Sequence, residues 1–347
     1  MSARLAFVAV ALLAGAPAAE AGVTAGADPD HKFVRTDKAM GTIVQITFWT
    51  DDETAVAKGA SAVFDEFRRI DRLMTTWDAD SDVSKINAAA GGKAVKVSPE
   101  VIEVIRKAQE VAKATGGAFD ITVGAYRGLW KFDHDMDYTL PSDEDVAERK
   151  KLVDWKDIVV DAKRSTVRLR KKGMAITLGG IAKGYAVDRA MKLLHEAGMV
   201  DFILQAGGDL YVSGKKGADS WVVGIRDPRG ARDAVFAVAK LENRTFSTSG
   251  DYERSFVKDG VRYHHILDPA TGQPARRCRS VTVMALDAFT SDAWDTALFV
   301  LGVDKGMELV EKLPDIDAVF VDSENGIHTS SGLEKKVVIQ RQPTDGI

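Results

Sequence analysis

The sequence holds one cysteine, Cys278, in 347 residues. A single thiol excludes an internal disulfide, a cysteine-rich zinc site and an iron–sulfur cluster. An excess of positive charge is also missing, since 47 Lys and Arg stand against 51 Asp and Glu, a net charge of −4. That mild acidity argues against a general nucleic-acid binder, which carries a basic face. No segment after the N-terminal run is apolar enough to cross a membrane, and no internal repeat, heptad run or low-complexity tract is present. With 45% hydrophobic and 28% charged residues the chain has ordinary globular composition. Its length suits two domains of about 150 residues or one large one. Any chemistry must use carboxylates, histidine, hydroxyls, backbone groups or a borrowed cofactor.

The N-terminus begins Met-Ser-Ala-Arg4, continues as an apolar run from Leu5 to Ala16, and ends in small residues through Ala19-Glu20-Ala21-Gly22. A basic start, a short apolar stretch and an A-x-A exit describe a secretory signal peptide over 1–21. The run is too short for a permanent membrane helix. No cysteine follows it to carry a lipid. An exported chain with one thiol fits a bacterial periplasm. Residues 22–32 read as a flexible lead-in, and 33–347 as the folded domain.

Within that domain Thr42–Trp49 alternates like a strand. Val56, Ala60, Val63, Phe64, Phe67, Ile70 and Leu73 recur at helical spacing. Ser98-Pro99-Glu100 is an N-cap followed by proline at the first helical position, and Gly116-Gly117 supplies a stop. Phe119–Val123 reads as extended, and Ile158–Val160 with Val167–Leu169 as a hairpin. Ala175–Leu178 reads as a short buried strand that turns at Gly179-Gly180 into a helix over Ile181–Ala197. Strands are expected at 202–205, 209–213, 221–226, 235–241, 244–248 and 281–286. A hairpin spans 252–266, helices lie at 289–301 and 304–312, and a last hairpin turns at Asn325-Gly326. Strands outnumber helices late in the chain without strict alternation, which predicts an α+β fold with mixed sheets and flanking helices.

Four motifs could carry chemistry, and each has a plainer explanation. Gly179-Gly180-Ile181-Ala182-Lys183-Gly184 joins a strand to a helix whose N-terminal N–H groups can receive an anion. It is neither G-x-G-x-x-G nor a P-loop, so a simple packing turn competes. Tyr263-His264-His265-Ile266-Leu267-Asp268-Pro269 places two histidines on opposite faces of a strand, so one of them can face a cleft as a base. The other reading is a core or solvated histidine. Asp292 and Thr296 share one helix face and offer a carboxylate and a hydroxyl to a hard cation such as Mg²⁺. Helix capping by Thr290, Ser291 and Asp292 competes. Trp77 in a polar loop can stack on a flat ring or anchor the loop half-buried. Asp133–Asp137 lacks EF-hand spacing and reads as a solvated loop.

Taken in order, these segments resemble the ApbE family, the FAD:protein FMN transferases. The matching stretches are MGT (40–42), TTWDADSDVSKIN (75–87), GGAFDITVG (116–124), LGGIAKGYAVD (178–188), LQAGGDLYVSG (204–214), HHILDPATGQP (264–274) and SDAWDTALFVLG (291–302). They span almost the whole chain beyond the signal. The resemblance implies an ApbE-like fold with the FAD site in a cleft between two halves. It implies transfer of FMN from FAD to a Thr or Ser hydroxyl of a target protein, with Mg²⁺ on the pyrophosphate and AMP leaving. FAD contacts would fall on Met40, Trp77, Ala118, Phe119, Asp120, Thr177, Lys183 and Ile266. Metal contacts would fall on Gly180, through its carbonyl, Asp292 and Thr296, and the base would be His265. The family usually has Asp where this chain has Thr177, and often Tyr in place of Trp77.

The resemblance further implies an acceptor subunit of a Na⁺-pumping NADH:quinone reductase or an Rnf-type complex, or another exported flavoprotein. Two other activities use the same residues, namely Mg²⁺-dependent hydrolysis of FAD to FMN and AMP, and flavin carriage without turnover. The A-x-A exit gives an immediate expectation. The intact mass of exported protein should start at Gly22, and uncleaved membrane-bound protein would contradict the reading.

Overall fold

The structure, a computed structural model, describes residues 26–28, 32–132 and 135–347. The signal peptide lies outside the described residues, as do Asp133 and His134. Strands β1 (Gly26–Asp28), β2 (Lys32–Ala39) and β3 (Thr42–Trp49) come first. Helices α1 (Glu53–Met74) and α2 (Asp82–Ala88) follow, then β4 (Val95–Lys96), α3 (Pro99–Ala114) and α4 (Asp143–Lys150). The hairpin β5 (Ile158–Asp161) and β6 (Thr166–Leu169) precedes α5 (Ala182–Glu196). A run of strands comes next: β7 (Phe202–Ala206), β8 (Asp209–Ser213), β9 (Trp221–Arg226), β10 (Val235–Leu241) and β11 (Arg244–Gly250). It continues with β12 (Ser255–Lys258), β13 (Val261–His264) and β14 (Cys278–Ala285). The chain closes with α6 (Ala288–Leu301), α7 (Val303–Val310), β15 (Asp317–Asp322), β16 (Ile327–Thr329) and β17 (Val337–Ile339).

Nine strands form one sheet in the order β1-β2-β3-β7-β8-β11-β14-β15-β16. Its ladders are all antiparallel, so the expected mixed sheets narrow to antiparallel ones. Alternation gives the sheet two apolar faces. Val44, Ile46, Phe48, Phe202, Leu204, Val281 and Val283 meet helices α1, α5 and α6 on one side. Leu210, Val212, Phe246, Met284, Val319 and Val321 meet the small sheet β17-β10-β9 on the other, around Trp221 and Phe236. This is an α+β sandwich of helices, sheet and sheet.

Several local expectations are met for stated reasons. Ser98 Oγ accepts from Val101 N (3.3 Å) ahead of Pro99, and the apolar face of α1 is buried. Three expectations are corrected. The lead-in 22–32 contains β1, which pairs with β2 from Gly26–Val34 to Asp28–Lys32. The segment expected to be extended at Phe119–Val123 winds instead into a 3₁₀ turn over Ile121–Tyr126, because Asp120 caps it. Ala175–Leu178 joins no ladder. Its backbone is satisfied by the side chain of Asn87, which bonds Ile176 N (2.7 Å) and Ile176 O (2.9 Å), and by the Ile121 carbonyl, which accepts from Thr177 N (2.8 Å).

Helices α5 and α6 cross at Gly184, where an added Cβ would lie 2.1 Å from the Ala288 carbonyl oxygen. That atom is backbone and has no rotamer by which to withdraw. Gly184→Ala must therefore part the helices, and overpacking of this kind costs about 1–3 kcal/mol. A lowered urea midpoint at unchanged slope is the expected result, and an unchanged midpoint would show that the contact yields freely.

Candidate active site

The N-terminal turn of α5 and the first two turns of α6 meet beside β8 and β11. Lys183 Nζ lies 3.0 Å from Asp209 Oδ2, 3.1 Å from Asp292 Oδ1 and 3.2 Å from the Gly179 carbonyl. The Lys183 side chain is 25% exposed, whereas those of Asp209 and Asp292 are each 3% exposed. Burial works against the Lys183 charge, but Asp209, Asp292 and Asp295 outweigh it and hold the ammonium above its ordinary range. Burial, followed by the Asp292 charge, pushes Asp209 up to about 7 against the pull of Lys183. Asp295 is likewise held well above the carboxylate range, by burial and then by Asp209 and Asp292. Three carboxyl groups share one ammonium in a poorly solvated place, where ionising all three is costly and a further cation would relieve that cost.

Asp292 does not cap its helix. The cap is Asp287, whose Oδ1 accepts from Thr290 N (2.7 Å), and Asp188 of α5 accepts from Ala288 N (2.8 Å) and Phe289 N (3.0 Å). Asp292 instead faces α5, its Oδ2 accepting from Gly184 N (2.8 Å). One turn on, Thr296 Oγ1 donates to Asp295 Oδ1 (3.2 Å) and lies 3.2 Å from Ser249 Oγ, which donates to the same carboxylate oxygen (2.9 Å). Thr296 Oγ1 and Phe119 Cε2 each lie 3.4 Å from where a Gly180 Cβ would stand. Gly180, Thr296, Asp292, Lys183 and Phe119 are thus brought together. Ser291 fastens α6 to the sheet through Thr245 Oγ1 (2.8 Å) and Ser247 Oγ (2.6 Å).

The two histidines differ in their hydrogen bonding. His264 is buried, its Nε2 lying 2.7 Å from the Ala275 carbonyl and its Nδ1 accepting from Ile266 N (3.3 Å). Burial pulls it down to about 4, against the opposing Ala275 bond. His265 sits just past the end of β13, and its Nδ1 is buried with no hydrogen-bond partner among the described residues. Burial, then the charges of Arg254, His264 and Lys183, hold it well below the usual imidazole range. A neutral imidazole with an unengaged ring nitrogen is the form a proton acceptor needs. Ile266 beside it is buried and ties back to Ala275 N (2.9 Å).

The remaining expected contacts are placed as follows. Met40 and Gly41 form the two-residue turn between β2 and β3 with φ of 51° and 70°, the left-handed backbone such hairpins favour. Met40 N donates to Asp71 Oδ2 (3.2 Å), and the neighbouring Ile43 carbonyl accepts from Gly207 N (3.1 Å), two residues from Asp209. Trp77 is 64% exposed rather than a half-buried anchor, and the Arg127 guanidinium lies 4.3 Å from its ring centre. Thr177 is partly exposed, and its hydroxyl accepts weakly from Gly179 N (3.4 Å). Ala118 is half-buried. The Asp120 carboxylate is committed to the fold, accepting from Thr122 N (2.8 Å), Thr122 Oγ1 (2.6 Å) and Trp155 N (2.9 Å). Asp209, Asp295, Ser249 and Arg254 were not singled out from sequence. Asp295 follows Asp292 by three residues, a helical spacing that was available as a signal.

The chain matches the ApbE family model over residues 40–320. An FAD:protein FMN transferase of Klebsiella pneumoniae (strain 342) is 33% identical over 84% of this chain and 90% of its own length. A protein of the same description from Treponema pallidum (strain Nichols) is 31% identical over 88% and 89%. The crystal structure of the ApbE protein from Thermotoga maritima superposes with a TM-score of 0.79 at 38% identity, covering 87% of this chain and 98% of that one.

His264 and Asp188 set opposing pH dependences of stability. Above about pH 6.5 His264 is neutral in both folded and unfolded chains. Between about 6.5 and 4 the unfolded chain takes a proton that the folded chain refuses, so stability falls as pH falls, by up to about 3 kcal/mol. Asp188, pushed up to about 7 by burial, works the other way and loses stability as pH rises toward neutrality. The difference between wild type and His264→Gln isolates the histidine. Urea unfolding at pH 7, 5.5 and 4.5 should show the wild type losing more than the variant, and parallel losses would contradict the assignment.

Proposed function

Since this chain belongs to the ApbE family, we propose that it transfers FMN from FAD to a Thr or Ser hydroxyl of a target protein, releasing AMP. The observation that carries this reading is the uncharged His265, its Nδ1 buried without a partner among the described residues, under the influence of the Arg254 and Lys183 charges, with Lys183 held by an anionic cluster. The acceptor oxygen attacks the FMN phosphorus, the pyrophosphate bond breaks, and AMP departs with the bridging oxygen. His265 accepts the hydroxyl proton. Lys183 and the N-terminal turn of α5 supply positive charge for the pyrophosphate. Met40, Trp77, Ala118, Phe119, Thr177, Ile266 and the backbone at Asp120 would form the flavin and nucleotide contacts. The exposed Trp77 ring offers a stacking face.

The donor set fits a hard cation. Asp292, Thr296 Oγ1 and the Gly180 carbonyl would supply oxygen ligands from neighbouring elements, beside carboxylates that burial drives toward protonation. They are too few to complete a shell, as expected where substrate phosphate and water supply the rest. Mg²⁺ held there would neutralise the pyrophosphate and act as a Lewis acid. The same reading carries export to the periplasm, cleavage after Ala21, and acceptors of the Na⁺-pumping NADH:quinone reductase or Rnf type. No helix among the described residues is long and apolar enough to cross a membrane.

Incubation with FAD, Mg²⁺ and a candidate acceptor tests the reading. In-gel flavin fluorescence of the acceptor together with AMP is the expected result. AMP without labelling would mean a hydrolase, and neither would mean a carrier. His265→Ala should lower transfer by about 10²-fold or more while FAD still binds. His264→Ala should act through stability, and equal losses of transfer in two folded variants would refute the distinction.

A further inference from the structure

Lys183 and a cation on Asp292 need the same oxygen. Asp292 Oδ2 is engaged by Gly184 N at 2.8 Å, and Oδ1 by Lys183 Nζ at 3.1 Å. The other two ligands, Thr296 Oγ1 and the Gly180 carbonyl, are neutral. Among the described residues no group of three His, Cys, Asp or Glu side chains is arranged to hold a metal. The cation's charged ligand is therefore the one Lys183 holds. Lys183 has a second carboxylate, Asp209 Oδ2 at 3.0 Å. Its flexible stem and rotating ammonium let it move a short way without leaving that partner.

Resting on the transfer reading above, we propose that Lys183 controls cation entry. Its ammonium holds Asp292 Oδ1 in the flavin-free protein, and the FAD pyrophosphate draws it off and opens that oxygen to the divalent cation. Asp209 is the positioning residue of this exchange, keeping the ammonium at the site in both states. A monocation and a dication sharing one poorly solvated oxygen repel each other strongly. The two ions are alternatives until phosphate separates them. FAD and cation then load cooperatively, each raising the affinity of the other by the same factor.

The probe is Mn²⁺, followed by the paramagnetic resonance of the free ion, with full-length protein and no flavin. Lys183→Met keeps the apolar stem and should bind Mn²⁺ at least about tenfold more tightly than wild type. That variant also makes the cluster more negative and can destabilise the fold. The double variant Lys183→Met/Asp209→Asn restores the net charge of the cluster and relieves the buried repulsion. It too should bind Mn²⁺ more tightly than wild type, because the oxygen is free although the charge is unchanged. Binding no tighter than wild type in the folded double variant overturns the proposal, whatever the single variant does. Wild type with FAD separates the two readings. With a candidate acceptor present, Mn²⁺-dependent flavin labelling of the acceptor together with AMP release keeps the transfer reading even if the variants fail, and the absence of both products removes both readings.

Discussion

The close crossing of α5 and α6 at Gly184 governs the rest of the site. Without a side chain at 184 the backbone of α5 reaches the first turn of α6, and each helix supplies a carboxylate to the other. Asp188 closes the N–H groups at the start of α6, and Asp292 accepts from Gly184 N. These reciprocal bonds fix the helices in register as well as in contact. They also aim the second oxygen of Asp292 at Lys183, one residue before the glycine. A one-residue slip would break all three bonds and turn Asp292 away from the ammonium.

Around that crossing the electrostatics oppose one another in a useful way. Burial raises Asp209 and Asp295 and lowers His265, so the acids tend toward protonation and the base away from it. The cluster is thereby prepared for incoming positive charge while the imidazole is kept neutral, with its ring nitrogen free of a proton. The two preparations share a cause, exclusion of water, and a common member, Lys183, which lowers its acidic neighbours and His265 alike. The hydroxyls of Thr245, Ser247 and Ser249 line one face of β11 and bond to α6, satisfying polar groups that would otherwise be costly to bury.

Much of this was legible in the residues. Long helices with regular apolar spacing, the Ser98-Pro99 cap and the alternation that separates His264 from His265 depend on local chemistry, and local chemistry is written in order along the chain. Ala175–Leu178 was misread because its partners are the Asn87 side chain and the Ile121 carbonyl, both far away in sequence. The competing role of Asp292 as a cap could be dismissed only once Asp287 and Asp188 were seen to do that work. Asp209 was passed over for a similar reason. Its importance lies in a contact with Lys183, and a lone Asp opening a buried strand carries no period to betray it. Asp120 shows the converse, since its motif position suggested a ligand and its carboxylate is occupied by Thr122 and Trp155.

The site is assembled from pieces spread over most of the chain: the turn at Met40, the 177–183 segment, Asp209 at the start of β8, Ser249 on β11, His265 after β13, and Asp292 with Thr296 on α6. The strands that carry them are not paired in simple succession, for β3 lies against β7 and β11 against both β8 and β14. The ammonium, the imidazole and the acid cluster lie between Lys183 and Asp295, so no fragment that ends before α6 holds them together. A chain in which α6 has not docked therefore lacks the Asp292 partner of Lys183. The acid cluster around Lys183 is completed only by α6, an element late in the sequence, docking against α5, so the polar centre of the site depends on one of the last helices to leave the ribosome.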